Sequence, residues 1–245
     1  ANMLCKDGVP HQKERIGLFK TLSPKAVRKH WVLEFKRATE RILNDLVPKG
    51  ASDLVDDFSS PVSAAAIQAM TGLMTMSIEI IGYASQAMIA AGSIYARDAQ
   101  IDANCKRATD EIDEHIRSMW DDADSMSVLQ TMKASALPLE SIQANTRLLI
   151  SGGSNDPRDA IAGSIACMLA APDQLETVRN GQANWSDVFN EYLRWMAPIG
   201  MAPRRVIRPE TINGIRFFKN DRVFFMYGSA GRDEAHFEAP ERLNV

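Results

Sequence analysis

Four groups of residues in this chain have types and spacings that could do chemistry. In Asp7-Gly8-Val9-Pro10-His11-Gln12-Lys13-Glu14-Arg15, an imidazole and a guanidinium stand four residues apart. On a helix, His11 and Arg15 share a face and could grip one anion, although such polar pairs are also ordinary on a solvated helix. In Leu148-Leu149-Ile150-Ser151-Gly152-Gly153-Ser154-Asn155-Asp156-Pro157, an apolar run meets two glycines, an acid and a proline. Proline inside a helix removes one donor and clashes with the carbonyl four residues back, here that of Gly153. The helix is therefore expected to bulge open between Gly153 and Pro157, with Asp156 beside the gap. The apolar flanks imply burial, and a buried carboxylate without a role is costly, which favours a functional acid over a plain break between two helices. Glu191 and Arg194 are spaced for a charge pair on one helix face, a pattern that surface ion pairs share. Arg204-Arg205 precedes a set of β-type runs, and Tyr227 to Asp233, His236-Phe237 and Pro240-Glu241-Arg242 follow it.

Other chemistries are poorly represented. His11, His30, His115 and His236 form no HxxxH or ExxH, and Cys5, Cys105 and Cys167 form no CxxC, so neither a protein-ligated metal nor a disulfide framework is expected. Phosphate-binding and nucleophile-elbow motifs are missing. The net charge is −3, from 28 basic and 31 acidic residues without a dense basic run. That argues against a nucleic-acid partner. With 245 residues, 45 % of them hydrophobic, the chain can fill one sizeable core, and a single domain over 1–245 is expected. The odd, scattered cysteines fit a reducing, cytoplasmic setting. The stretch 61–96 carries Glu79 as its only charge, but Gln68, Thr71, Thr75, Ser77 and Gln86 interrupt it. It never reaches the roughly 18 apolar residues of a membrane span, so buried helices and no membrane contact are expected.

The elements that must position these residues are mostly helical. Ser23-Pro24 reads as an N-cap and first helical proline, opening a helix to about Asn44. Leu46 to Ser60 reads as a connection. Ile101, Ala108, Ile112 and Ile116 recur at helical spacing between Arg97 and Trp120. Leu139 to Ala171 is the long interrupted pattern, and Trp185-Ser186-Asp187 reads as the cap of a helix ending before Pro198. Thereafter Val206-Ile207, Ile212, Ile215 to Phe218 and Val223 to Met226 read as short strands, with Asn213-Gly214 and Lys219-Asn220-Asp221 as turns.

Taken in order, Asp-Gly…His-x-x-x-Arg, the interrupted Gly-Gly helix, Glu-x-x-Arg, the arginine before the sheet, Gly-Ser-Ala-Gly-Arg-Asp and Pro-Glu-Arg resemble the cytochrome P450 superfamily, most closely its soluble bacterial branch, along essentially the whole chain. The resemblance implies a mainly α fold with a small β-meander, ending before the loop that carries the haem-thiolate cysteine, which is expected beyond Val245. It implies haem b as cofactor, with His11, Arg15 and Arg205 on its propionates and Gly152 and Gly153 beside bound dioxygen. Glu191, Arg194 and Arg242 correspond to a buried charge network, and Leu149, Gly152, Met201 and Ala202 to substrate-pocket walls. The implied partners are a small hydrophobic substrate, O2, and a ferredoxin or flavin reductase passing electrons from NAD(P)H. Asn155-Asp156 stands where the family has an acid and a threonine, so Asp156 becomes the proton-handling candidate, with Asn155 and Gly153 beside it. Gly231 replaces an asparagine, a departure expected to be minor. A peroxide-driven peroxygenase of the same fold and a non-catalytic helical ligand-binding module are the competing readings.

Overall fold

A computed structural model of the chain describes residues 2–93 and 98–245. The end of the low-charge stretch and the first residue of the polar segment after it, 94–97, lie outside the described residues. The chain divides into two compact units, Ala1–Asp159 and Ala160–Val245.

The first unit is helical throughout. It begins with a 3-10 turn, Met3–Cys5, and helix α1 (Gly8–Leu22). The Ser23 hydroxyl accepts a hydrogen bond from the Ala26 amide at 3.2 Å, and Pro24 occupies the first helical position. The helix this starts runs through α2 (Pro24–Ala26) and a wider π-type turn, Val27–Trp31, into α3 (Val32–Leu46), slightly past its expected end. The connection expected over Leu46 to Ser60 is shorter than its Pro, Gly and Asp content suggests. The Asp53 carboxylate accepts from the amides of Val55 and Asp56 at 2.7 and 2.8 Å, which starts helical turns at Leu54 that run into α4 (Ser60–Thr71). Gly72, at φ 85°, ends α4, and a Cβ there would meet the Ser127 side chain at 2.7 Å. Then follow α5 (Ile78–Ser93), α6 (Ala99–Ser118), α7 (Val128–Ala134) and α8 (Leu139–Gly153). Helix α9 (Asn155–Ala170) starts in this unit and continues into the second.

Leu18, Ile67, Leu73, Met76, Ile81, Ile112, Ile116, Leu129, Met132, Ile142 and Ile150 form the core of this unit. Each such side chain contributes about 1.5–3 kcal/mol on leaving water. Ala108, Ile112 and Ile116 are buried, as their spacing predicts, whereas Ile101 is half-exposed. Some polar groups inside are paired across elements: the Thr21 and Thr131 hydroxyls lie 2.7 Å apart, and Trp31 Nε1 donates to the Thr21 carbonyl at 2.9 Å. No helix among the described residues is long and apolar enough to cross a membrane.

The second unit carries α10 (Pro172–Arg179), α11 (Trp185–Met196) and the strands. Helix α11 is capped by Asn184 rather than by Trp185-Ser186-Asp187. Its side chain accepts from the Ser186 and Asp187 amides while the Asp187 carboxylate accepts from the Asn184 amide, a reciprocal capping box. Ala197, at φ 43°, ends the helix before Pro198. Strand β1 (Met201–Arg205) pairs antiparallel with β4 (Arg222–Met226), and β2 (Glu210–Ile212) pairs with β3 (Ile215–Phe217) between them. Asn213 and Gly214 both take positive φ, as a tight hairpin turn requires. The first strand was expected at Val206-Ile207, but it lies one step earlier and includes Pro203. Proline is tolerated in a two-stranded sheet at positions where the ladder asks for no donor. Val206 instead closes the hairpin, donating to the Asp221 carbonyl at 3.0 Å and accepting from the Asn220 amide at 2.8 Å. Helix α12 (Tyr227–Ala230) follows β4. The architecture is mainly α with small antiparallel β-hairpins, as the sequence predicts.

Candidate functional site

The interruption between α8 and α9 falls on Ser154 and is held from two sides. From α4, the Ser63 hydroxyl donates to the Ser154 carbonyl at 2.5 Å. From α5, the Ser85 hydroxyl donates to the Ser151 carbonyl at 3.2 Å. A proline three residues into α9 leaves carbonyls of the preceding turn short of amide donors, and serines on neighbouring helices supply hydroxyls nearby. Gly153 does not leave room for a ligand: a Cβ there would meet Ile67 Cδ1 at 2.7 Å, so its missing side chain is filled by the core. Gly152 is the open position, with no atom within 4 Å of where its Cβ would stand.

Asp156 lies four residues after Gly152, on the far side of the interruption at Ser154. Contrary to the burial expected from its flanks, Asp156 is exposed. The protein around it still removes part of its water, and this desolvation, together with the Asp159 charge, raises its pKa. Among the described residues no side chain or amide bonds its carboxylate, whereas Arg158 pairs with Asp159 at 2.8 Å. Asn155 does not turn to that side. Its Oδ1 accepts from Gln86 Nε2 at 2.7 Å and its Nδ2 donates to Ser85 Oγ at 3.3 Å. Leu149 is half-buried against the core of the first unit.

Glu191 and Arg194 form the densest polar knot of the second unit. Arg194 Nη2 and Nε donate to the two Glu191 oxygens at 2.6 and 2.7 Å, and both side chains are only 12 % exposed. The same guanidinium donates to the carbonyls of Gly231, Pro240 and Arg242, at 2.8, 2.8 and 2.7 Å. It also lies 5.3 Å from the Phe237 ring centroid. The Glu191 hydrogen bonds raise the Arg194 pKa, so its charge is permanent. Arg242 joins this knot through its carbonyl, and its own side chain belongs to an exposed residue. Gly231 is no minor departure: a Cβ there would stand 2.3 Å from the Arg194 carbonyl oxygen. Arg232 adds a second brace, donating to Glu241 Oε2 at 2.9 Å and to the Trp195 carbonyl at 3.0 Å.

The cations assigned to an anion lie at the surface of their units. His11 is half-exposed and Arg15 exposed, one turn apart on α1; Arg205 is exposed on β1. Among the described residues none of the three has an acidic partner. Within the first unit, an arginine without an acidic partner at Arg15 and the open position at Gly152 are compatible with a flat apolar group that carries carboxylates, as haem b does. The β1–β4 register adds a constraint that the sequence alone did not give. Arg205 faces Arg222 and shares its side of the strand with Met201, whereas Arg204 shares the opposite side with Ala202. Met201 and Ala202 therefore present their side chains to opposite sides of the strand. Arg204, passed over in the sequence, is a rival to Arg205; its guanidinium lies 5.7 Å from the Phe225 ring centroid. The cysteines are free and scattered, Cys5 exposed, Cys105 and Cys167 half-exposed.

No family model matches the chain. Cytochrome P450 NovI of Streptomyces niveus is 33 % identical over 124 residues, which are 50 % of this chain and 30 % of that protein. A steroid C26-monooxygenase of Rhodococcus jostii is 23 % identical over 252 residues, covering 99 % of this chain and 52 % of the relative. Among solved structures, P450BioI in complex with a fatty-acyl carrier protein superposes with a TM-score of 0.87 at 19 % identity, covering 99 % of this chain and 64 % of that one. CYP109E1 of Bacillus megaterium with testosterone gives 0.86 at 20 % identity, covering 100 % and 68 %. The chain spans about half the length of the curated relatives it matches. Its fold is the cytochrome P450 fold, and along its whole length the chain is similar to proteins of that name.

Proposed function

We propose that this chain is part of a haem-dependent monooxygenase that inserts one oxygen atom from O2 into a small hydrophobic organic substrate, with electrons from NAD(P)H delivered by a ferredoxin or flavin partner. Haem b, when bound, supplies the reductive activation of dioxygen. The observation that carries this reading is the interrupted α8–α9 helix, with Gly152 open just before the break and the exposed Asp156 just after it. It is supported by relatives named for steroid oxidation and by a neighbour solved with testosterone, both of which handle apolar molecules.

The chain's own residues have separate tasks. His11, Arg15 and one of the β1 arginines hold the carboxylates of the cofactor through charge-assisted hydrogen bonds. Gly152 lets a flat group lie against the helix backbone. Asp156, with no partner among the described residues and a pKa raised by desolvation and by the Asp159 charge, is the group that can take up and pass on a proton. The Glu191–Arg194 knot keeps the segment from Gly231 to Arg242 in place.

The test is made on the haem-loaded, full-length protein. Asp156→Asn, which keeps shape and removes titration, is expected to retain substrate binding while product formed per NAD(P)H consumed falls, the lost electrons appearing as hydrogen peroxide. The expected loss of rate is on the scale of the roughly 10²–10⁴-fold usual for acid–base groups. Asp159→Asn, whose carboxylate is already engaged by Arg158, is expected to do much less. Tight coupling in Asp156→Asn combined with loss in Asp159→Asn moves the proton relay to Asp159.

A further inference from the structure

Asn155 lies at the interruption, yet its amide points to α5, through hydrogen bonds that run in one direction. Gln86 Nε2 donates to Asn155 Oδ1 at 2.7 Å, Asn155 Nδ2 donates to Ser85 Oγ at 3.3 Å, and Ser85 Oγ donates to the Ser151 carbonyl at 3.2 Å. The order is fixed by chemistry. The Ser85 hydroxyl has one proton, spent on the Ser151 carbonyl, so toward Asn155 it can only accept. Asn155 must then present its NH2 to Ser85 and its oxygen to Gln86. A flipped amide would either place two acceptors face to face or draw the Ser85 proton away and leave the Ser151 carbonyl without that donor. Ser85 is 1 % exposed, so that loss would occur out of reach of water, where an unmade hydrogen bond is costly.

The chain ties α5 to both sides of the break at once, to Ser151 before it and Asn155 after it. Ser63 does the same from α4 through the Ser154 carbonyl. Between them, the first turn of α9 is fixed relative to the last turn of α8.

We propose that Ser85 and Gln86 are positioning residues for the interruption: by holding the Asn155 amide on the α5 side, they set the angle at which α9 leaves Ser154, and with it the place of Asp156 relative to Gly152. An aspartate at 155 could not serve here, because it has no proton to donate to Ser85 and would add a third carboxylate beside Asp156 and Asp159. The inference rests on the monooxygenase reading only for its effect on turnover; the hydrogen-bond chain itself is read without any reaction.

Two measurements on the haem-loaded, full-length protein test it, each comparing the parent with Ser85→Ala, Gln86→Ala, Asn155→Ala and the double variant Ser85→Ala/Asn155→Ala. The first is hydrogen exchange at the amides of residues 155–159. The expected result is about three- to tenfold faster exchange in Ser85→Ala and in Asn155→Ala, the scale of one net hydrogen bond, with the double variant no faster than either single one. Exchange in α7, which takes no part in the chain, should stay unchanged. The second is the ratio of product to NAD(P)H consumed, alongside substrate affinity. Ser85→Ala and Gln86→Ala should lower the ratio at least twofold while affinity holds, a split that a general loss of folding does not produce. Unchanged exchange, additive effects, or changed exchange with an unchanged ratio would each overturn the assignment. If the parent itself forms no oxygenated product, the monooxygenase reading falls, and the exchange data alone decide whether Ser85 and Gln86 fix the break.

Discussion

Arg194 carries more of the structure than any other single side chain described above. It meets both Glu191 oxygens and three backbone carbonyls, so each of its donors faces an acceptor. Removing one partner of such a pair leaves the other charge buried and uncompensated, a cost of roughly 3–5 kcal/mol. Glu191→Ala and Arg194→Ala are therefore expected to lower the thermal midpoint by many degrees and to sharply reduce the haem-loaded protein recovered; melting curves matching the parent would return the pair to an ordinary surface bridge. Gly231 depends on the same residue. Gly231→Asn restores the side chain common in the family, yet its Cβ would press on the Arg194 carbonyl. It is expected to destabilise by about 1–3 kcal/mol, as overpacking does. Denaturant unfolding of Gly231→Asn beside Gly228→Ala, where a Cβ meets nothing nearer than 3.8 Å, checks this. The pairing of Glu191 with Arg194 was legible from spacing alone. Its burial was implied only by the family resemblance and not by the spacing, because the three carbonyls come from residues 37 to 48 positions away, and carbonyls have no signature in sequence.

At the scale of the element, what could be read locally was read. The Ser23-Pro24 start and the Asn213-Gly214 turn follow from the conformations those residues prefer. The interruption near Pro157 was legible for the same reason, but its environment was not. Ser63 and Ser85 carry no signal in the sequence, and only the fold shows that their hydroxyls serve a break 66 to 91 residues later. Strand β1 was misplaced because Pro203 hides it, and with it went the register that separates Arg204 from Arg205. That separation is testable. The two guanidiniums leave opposite sides of β1, so if the proposed cofactor's carboxylates take a β1 arginine as well as Arg15, they are expected to take only one of the two. Haem dissociation from Arg15→Lys, Arg204→Lys and Arg205→Lys should be faster in Arg15→Lys and in one of the β1 variants, since lysine lacks the planar fork. Equal acceleration by both β1 variants would contradict the strand register.

At the scale of the molecule, burial is uneven. The core cluster draws all its buried members from residues 18–150, in the first unit. In the second unit the buried hydrophobic residues are Met168, Val188 and Tyr192. Phe189, Met201, Phe224, Phe225 and Met226 of that unit are all at least 42 % exposed. A unit of this size buries too little on its own to offset the ordering of its chain. A polypeptide of residues 1–159 is therefore expected to melt cooperatively, whereas residues 160–245 alone should show a broad transition and bind a hydrophobic dye. A sharp calorimetric peak from 160–245 would refute this. Composition could not have shown the imbalance, since both halves are rich in apolar residues and differ in which of them are covered.

The reach of Arg194 also sets a clock on biosynthesis. Its last acceptor, the Arg242 carbonyl, lies 48 residues downstream. At about 5–20 residues per second, a ribosome needs roughly 2–10 s to deliver it after Arg194 has been made. Throughout that interval the guanidinium has Glu191 but not the segment it will staple. A nascent chain paused inside this window is a chaperone client by construction, and codons that slow translation between residues 194 and 242 should lower yield without changing a single contact of the finished fold.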